Sequence, residues 1–217
     1  MQNRMRINEI ANLIKDANIC VDVGSDHANL SIILAKENKA KIIYNIEKNS
    51  APLQNSINNT KSYSNIKNVK SDGFKSFDSS LLIDYCTISG MGANTIVEIL
   101  DGCKNKINNI IVCPNNNYQL IREWAKNNKW KIKYEKTIIA NKIYYEIIWL
   151  TKTQGKKVLF KNQCLFGIRS IKKNDSLFIE KLKNEYESEN INFFKNKNYK
   201  KYKYLKKVKR YLEKYES

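Results

Sequence analysis

Val21-Asp22-Val23-Gly24-Ser25-Asp26-His27-Ala28 is the stretch that decides the fold. An apolar, β-branched run from Ile19 to Val23 stops at a glycine, and a helical pattern holds from Ala28 to Lys36. A strand, a glycine turn and a helix open a parallel α/β unit. A residue without Cβ lets the chain turn tightly there and brings backbone N–H groups toward a ligand. The turn lacks the G-x-G-x-x-G of a nicotinamide site and the lysine of a P-loop, so hydride transfer and nucleoside triphosphate hydrolysis lose their main support. Glycine is scarce, 7 in 217 residues. Gly24, Gly73, Gly90 and Gly92 all follow predicted strands, which marks strand ends as the places where the backbone needs them.

Working outward, Ile7 to Ile14 has the apolar spacing of an opening helix. Lys41 to Ile46 reads as a second strand ending at Glu47, and Pro52 suits the first turn of the next helix. Val69 centres a third strand ending at Asp72-Gly73. Ile83 to Ser89 is a fourth, ending at Gly90-Met91-Gly92. Thr95 to Leu100 is helical with Asn94 as its expected cap. Ile110 to Cys113 is a fifth strand ending at Pro114-Asn115, followed by a helix over Tyr118 to Lys126. Trp130 to Ile139 and Ile143 to Leu150 read as two closely spaced antiparallel strands. This alternation predicts a doubly wound, mainly parallel sheet, whose ligands bind beyond the carboxyl ends of the strands.

The strand ends carry a coherent chemistry. Glu47 suits the two hydroxyls of a ribose, and Asp72 an adenine exocyclic amine, with Gly73 leaving room for the ring. One acidic residue at a strand end is ordinary loop chemistry. The Gly24 turn, Glu47 and Asp72, in order after strands one, two and three, describe a pocket for a nucleoside-bearing cofactor with no phosphate clamp.

The five cysteines, Cys20, Cys86, Cys103, Cys113 and Cys164, are odd in number and include no C-x-x-C. A disulfide framework or zinc site is not expected, and a reducing compartment is. Cys20, Cys86 and Cys113 fall in strand-like runs and read as small buried hydrophobes. No apolar run approaches the length of a membrane span, and the N-terminus carries Arg4, Arg6 and Glu9 without a secretory apolar core.

The net charge is +18. After Thr151 the composition changes: residues 151–217 hold 19 Lys/Arg against 7 Asp/Glu. Phe178, Leu182 and Tyr186 form one helix stripe, and Leu205, Val208, Leu212 and Tyr215 another, so an antiparallel helical pair in coiled-coil style is expected. Lys200, Lys201, Lys203, Lys206, Lys207, Lys209 and Arg210 stand almost in sequence, a surface suited to a polyanion.

The set resembles the class I S-adenosylmethionine-dependent methyltransferases. It is more closely similar to the bacterial tRNA (adenine-N1)-methyltransferases that modify adenine 22. The pieces that match are Asp22-Val23-Gly24-Ser25-Asp26-His27-Ala28, Asp72-Gly73, Ile88-Ser89-Gly90-Met91-Gly92, Pro114-Asn115 and Arg122-Glu123-Trp124. Two departures stand out: Ala93 where a further glycine is frequent, and Cys113 in place of a glutamine before Pro-Asn.

The resemblance implies a Rossmann-like methyltransferase sheet in residues 1–152 and a basic helical, tRNA-docking domain in 153–217. It implies methylation of N1 of adenine 22 in tRNA, with S-adenosylmethionine as cofactor and S-adenosylhomocysteine as product. No metal, membrane or obligate protein partner is expected, and a cytoplasmic location is. Asp22, Gly24, Glu47, Asp72, Gly73, Gly90, Met91 and Gly92 would surround the cofactor. Asp26, His27 and Asn115 would meet the substrate. The plainer readings are a helix cap for Asp26, a structural histidine for His27, turn chemistry for Asn115 and packing for Met91. Another RNA methyltransferase, or an RNA-binding protein that keeps the fold without catalysis, is the alternative function.

Overall fold

The computed structural model describes residues 3–25, 27–168, 175–196 and 199–216. They form two compact units, Met1–Arg169 and Ser170–Ser217.

The first unit is built on an eight-stranded sheet. Its elements run α1 (Asn3–Leu13), β1 (Ala17–Val23), α2 (Asn29–Lys36), β2 (Ala40–Glu47), α3 (Ser50–Thr60), β3 (Ile66–Lys70), β4 (Ile83–Ser89), α4 (Ala93–Asp101), β5 (Ile107–Cys113), α5 (Tyr118–Asn127), β6 (Lys131–Ala140), β7 (Ile143–Thr151), β8 (Lys156–Lys157) and α6 (Lys161–Phe166). The strand order is β3-β2-β1-β4-β5-β7-β6-β8. The first five strands are parallel, and β7 inserts antiparallel between β5 and β6. The order reverses between β1 and β4, which is the switch point where open α/β sheets hold ligands.

Alternation along each strand feeds two apolar layers. On one face Val21, Val23, Cys86 and Ile88 pack with Ile96 and Leu100 of α4 and Ile121 and Trp124 of α5. On the other, Cys20, Ile43 and Ile111 pack with Ile10 of α1, Ile14 just after it, and Leu30 and Leu34 of α2. Each fully buried isoleucine contributes about 1.5–3 kcal/mol. All five cysteines are free, and Cys103 alone among them is not buried. Asn45, at an inward position of β2, is buried among polar partners. It bonds Ser31, Ser56 at 3.1 Å and Asn68 at 3.0 Å, which satisfies an amide that apolar neighbours would strand.

Two local expectations are corrected. The N-cap of α4 is Gly92, not Asn94, and the Asn116 side-chain oxygen accepts the Ala93 N–H at 3.3 Å. The composition change at Thr151 is not where the first unit stops. Lys156–Lys157 pairs with β6 as an edge strand, and Val158, Cys164 and Ile168 enter the apolar core. Residues 153–168, grouped by charge with the tail, thus belong structurally to the sheet.

A buried ion cluster ties this late segment down. Arg122 on α5 has no exposed side-chain surface; it donates to Glu135 of β6 at 2.6 Å and to Glu146 of β7. It also donates to the Cys164 carbonyl at 3.4 Å, while Glu135 accepts the Ile168 N–H at 2.7 Å. Gly167, with φ +77°, passes so close that a Cβ there would stand 2.9 Å from Glu135 Oε2.

The second unit consists of α7 (Ser176–Asn196) and α8 (Tyr199–Glu216). Phe178, near the start of α7, meets Tyr211, near the end of α8, edge to face at 6.2 Å. Tyr204 donates to Glu185 at 2.9 Å. The two helices are therefore antiparallel. Leu182, Leu205, Val208 and Leu212 are buried; the Tyr215 side chain lies outside the described residues. No helix among the described residues is long and apolar enough to cross a membrane.

Candidate active site

A cleft of about 470 Å³ opens at the carboxyl ends of the parallel strands. Gly24 from the β1 end, Glu47 from β2, Asp72 and Gly73 after β3, and Met91 after β4 all line it, with Ile99 of α4. Five residues spread over 68 positions of sequence are brought together because parallel strands deliver all their carboxyl ends to one edge.

Gly24 takes φ +79°, and a Cβ there would stand 2.0 Å from Met91 Cε. Its N–H is tied to the Ile46 carbonyl at 2.8 Å, which draws the β1 turn against β2. Gly73, with φ +59°, has Ile99 where its own Cβ would go, 3.2 Å away. Both glycines keep the cleft open by having no side chain. Glu47 is buried, and its Oε1 accepts the Asn49 N–H at 2.9 Å. Asp72 also pairs with two cations. Its carboxylate holds Lys75 Nζ at 2.6 Å and Lys48 Nζ at 3.4 Å, and the Lys75 hydrogen bond lowers its pKa. An adenine amine reaching Asp72 therefore meets a carboxylate already paired at the rim.

Asp22, Gly90, Gly92 and Asn115 stand at or next to the same strand ends. Asp22 lies buried beneath the turn and accepts the Thr87 hydroxyl at 2.7 Å. Burial pushes its carboxyl up to about 6, against the pull of that hydrogen bond. Gly90 has φ +80°. Asn115 fastens the β5 end to the β4 turn twice: its N–H donates to the Met91 carbonyl at 2.8 Å, and its Nδ2 to the Gly90 carbonyl at 2.7 Å. Neither bond was legible from the Pro-Asn pair alone.

Asp26 lies outside the described residues. His27 is exposed in the turn before α2, and its carbonyl accepts Asn59 Nδ2 at 3.2 Å. Ala28, not Asp26, occupies the N-cap of α2, in the left-handed region at φ 54°. Of the basic tail residues, Lys203, Lys206, Lys209 and Arg210 are exposed and Lys207 is half-buried. The side chains of Lys200 and Lys201 lie outside the described residues. Among the described residues no cluster of three or more His, Cys, Asp or Glu is placed to hold a metal.

Comparison with known proteins gives the same architecture a family. The solved structure of M. capricolum TrmK in complex with S-adenosyl-homocysteine is 33% identical, with a TM-score of 0.86, covering 97% of this chain and 96% of that one. A Streptococcus agalactiae protein of the NADB-Rossmann superfamily is 25% identical, with a TM-score of 0.87 over 95% and 96% of the two chains. The B. subtilis m1A22 tRNA methyltransferase TrmK is 21% identical and shares the fold, with a TM-score of 0.80 over 96% and 94%. The TrmK family, tRNA (adenine(22)-N(1))-methyltransferase, matches residues 20–215. With that match spanning both units and the cleft at the switch point of the sheet, the chain belongs to the tRNA (adenine(22)-N(1))-methyltransferase family.

Proposed function

We propose that this chain carries out the reaction of its family, S-adenosylmethionine-dependent methylation of N1 of adenine 22 in tRNA, through the residues just described. The observation that carries the reading is the cleft. It brings a buried carboxylate, a rim carboxylate and two side-chain-free glycines together at the switch point of the sheet. These fit a nucleoside-bearing group: Glu47 for ribose hydroxyls, Asp72 for the adenine edge, and Gly24 and Gly73 for close approach. Bound there, S-adenosylmethionine supplies an electrophilic methyl group and leaves as S-adenosylhomocysteine.

Adenine N1 has an in-plane lone pair, so its attack needs alignment and exclusion of water more than a strong base. N1 lies on the Watson–Crick edge, and a paired base must be extruded to react. Methylation leaves a positive charge on the ring. Asp26, two residues after Gly24 in the sequence, is assigned to stabilise that charge at N6 or take the N6 proton, with His27, the next residue, as the second candidate. Asn115 braces the Gly90-Met91-Gly92 turn and offers its side-chain oxygen to the base.

Incubation with tRNA and labelled S-adenosylmethionine, followed by nuclease digestion and mass spectrometry, tests the reading. One methyl group at N1 of adenine 22 is expected; no transfer, or transfer to another position, overturns it.

A further inference from the structure

Arg6 on α1 is a cation with no ion-pair partner among the described residues. Ile10 and Ile14, one and two turns on, are fully buried and fix the helix against the sheet. The Arg6 guanidinium carbon lies 5.0 Å from the ring centroid of Tyr145 on β7. One of its terminal nitrogens reaches within 3.7 Å of the place where a Gly90 Cβ would stand. Its Nε is buried with no hydrogen-bond partner among the described residues.

Among the described residues, Glu9 and Glu146 are already committed. Glu9, on the same helix, accepts the Tyr134 hydroxyl and Lys136 Nζ, each at 2.9 Å. Glu146 is held by Arg122. Cys113 feels the Arg6 charge, yet burial keeps its thiol neutral, pushed up to about 12. A guanidinium desolvated on one side and unpaired costs stability unless an anion completes it.

Its position selects the anion. The Gly90-Met91 turn stands between two neighbours: Met91 lines the cofactor cleft, and Gly90 adjoins Arg6. The product base carries a positive charge, so a guanidinium against the ring would raise the barrier. A backbone phosphate next to the extruded nucleotide has the opposite charge and matches the guanidinium fork.

We propose that Arg6 is a substrate-positioning residue, whose guanidinium, backed by Tyr145, grips a tRNA backbone phosphate flanking the target adenine and so seats the base beside the Gly90-Met91-Gly92 turn. The inference rests on the tRNA-methylation reading and adds a contact from the opening helix.

The test uses the full chain and tRNA. Arg6→Ala is expected to lower kcat/KM for tRNA tenfold or more, mostly through KM, while affinity for S-adenosylmethionine changes less than twofold. The slope of log affinity for tRNA against log salt should fall by about 0.7–0.9, the value of one phosphate contact. Arg6→Lys should recover part of the loss, since a phosphate accepts a point charge. With the unaltered enzyme, methylphosphonate at one of the two phosphates flanking the adenine should reproduce the loss, and Arg6→Ala should add nothing to it. This arm holds even where the alanine variant folds poorly. An unchanged kcat/KM, a loss matched by cofactor affinity, or indifference to both methylphosphonates overturns the proposal. Failure of the unaltered chain to methylate tRNA instead overturns the parent reading, and this one with it.

Discussion

Glu47 is a buried carboxylate that faces the cleft, with one oxygen held by the Asn49 N–H. Removing it takes away the buried carboxylate expected to accept the ribose hydroxyls. Glu47→Ala is expected to weaken S-adenosylmethionine binding by about 1–3 kcal/mol, measured by calorimetry on the folded variant; unchanged affinity would remove Glu47 from the cofactor site. Asp26→Ala should lower turnover more than tenfold with tRNA binding retained, checked by single-turnover assay and filter binding. A normal rate would leave Asp26 without a role. Asp22 makes a prediction in pH. Its carboxyl titrates near 6 in the folded protein against an ordinary 3.8. Between those values the native state binds the extra proton, so this group's contribution to stability falls as pH rises from about 4 to about 6, and stays low above it. Asp22→Asn keeps an acceptor for Thr87 and removes the titration. Its stability relative to the unaltered chain should therefore improve from pH 4 to pH 7, by up to about 3 kcal/mol, as read from denaturant melts. A pH-independent difference would show that Asp22 does not titrate there.

At the scale of elements, the Arg122 cluster joins α5, the β6–β7 hairpin and the 164–168 segment. Buried pairs add little over a well-packed apolar alternative, but breaking one leaves an uncompensated charge. Arg122→Met should destabilise the chain by about 3–5 kcal/mol, while the triple replacement of Arg122, Glu135 and Glu146 by Met, Leu and Leu should recover most of it. Thermal melts decide this, and equal losses in the single and triple variants would rule out the charge explanation. Arg122 was visible in the sequence only as part of a motif, because its partners lie 13 and 24 residues away on strands whose pairing is a tertiary event. The same holds for Lys156–Lys157: two exposed lysines carry no strand signal, and only the open edge of β6 recruits them.

At the scale of the whole molecule, the basic tail and the sheet are separate compact units dividing after Arg169. Lys203, Lys206, Lys209 and Arg210 are exposed on α8, interleaved with buried Leu205 and Val208 and followed by buried Leu212. Such a surface follows phosphates without reading bases. Reversing these four to Glu should leave S-adenosylmethionine affinity intact, weaken tRNA binding strongly and flatten its salt dependence; tRNA affinity unchanged at about 150 mM salt would remove α8 as a docking surface. Deleting 170–217 tests the same point, whereas a deletion from 153 would also remove β8 and α6 from the sheet. The sequence by itself determined the alternation of strands and helices, the glycines at the strand ends, the Glu47 and Asp72-Gly73 positions and the helical stripes of the tail. Each of these is written in local periodicity or in one residue's backbone freedom. Only the tertiary structure decided that Asp72 is paired with Lys48 and Lys75, that Asn115 locks the Gly90 turn, that Arg6 stands beside it, and where the first unit stops. Apart from the local Asp72–Lys75 pair, those outcomes depend on which strand ends and helices become neighbours in space, and residues far apart in sequence do not meet until the sheet has formed.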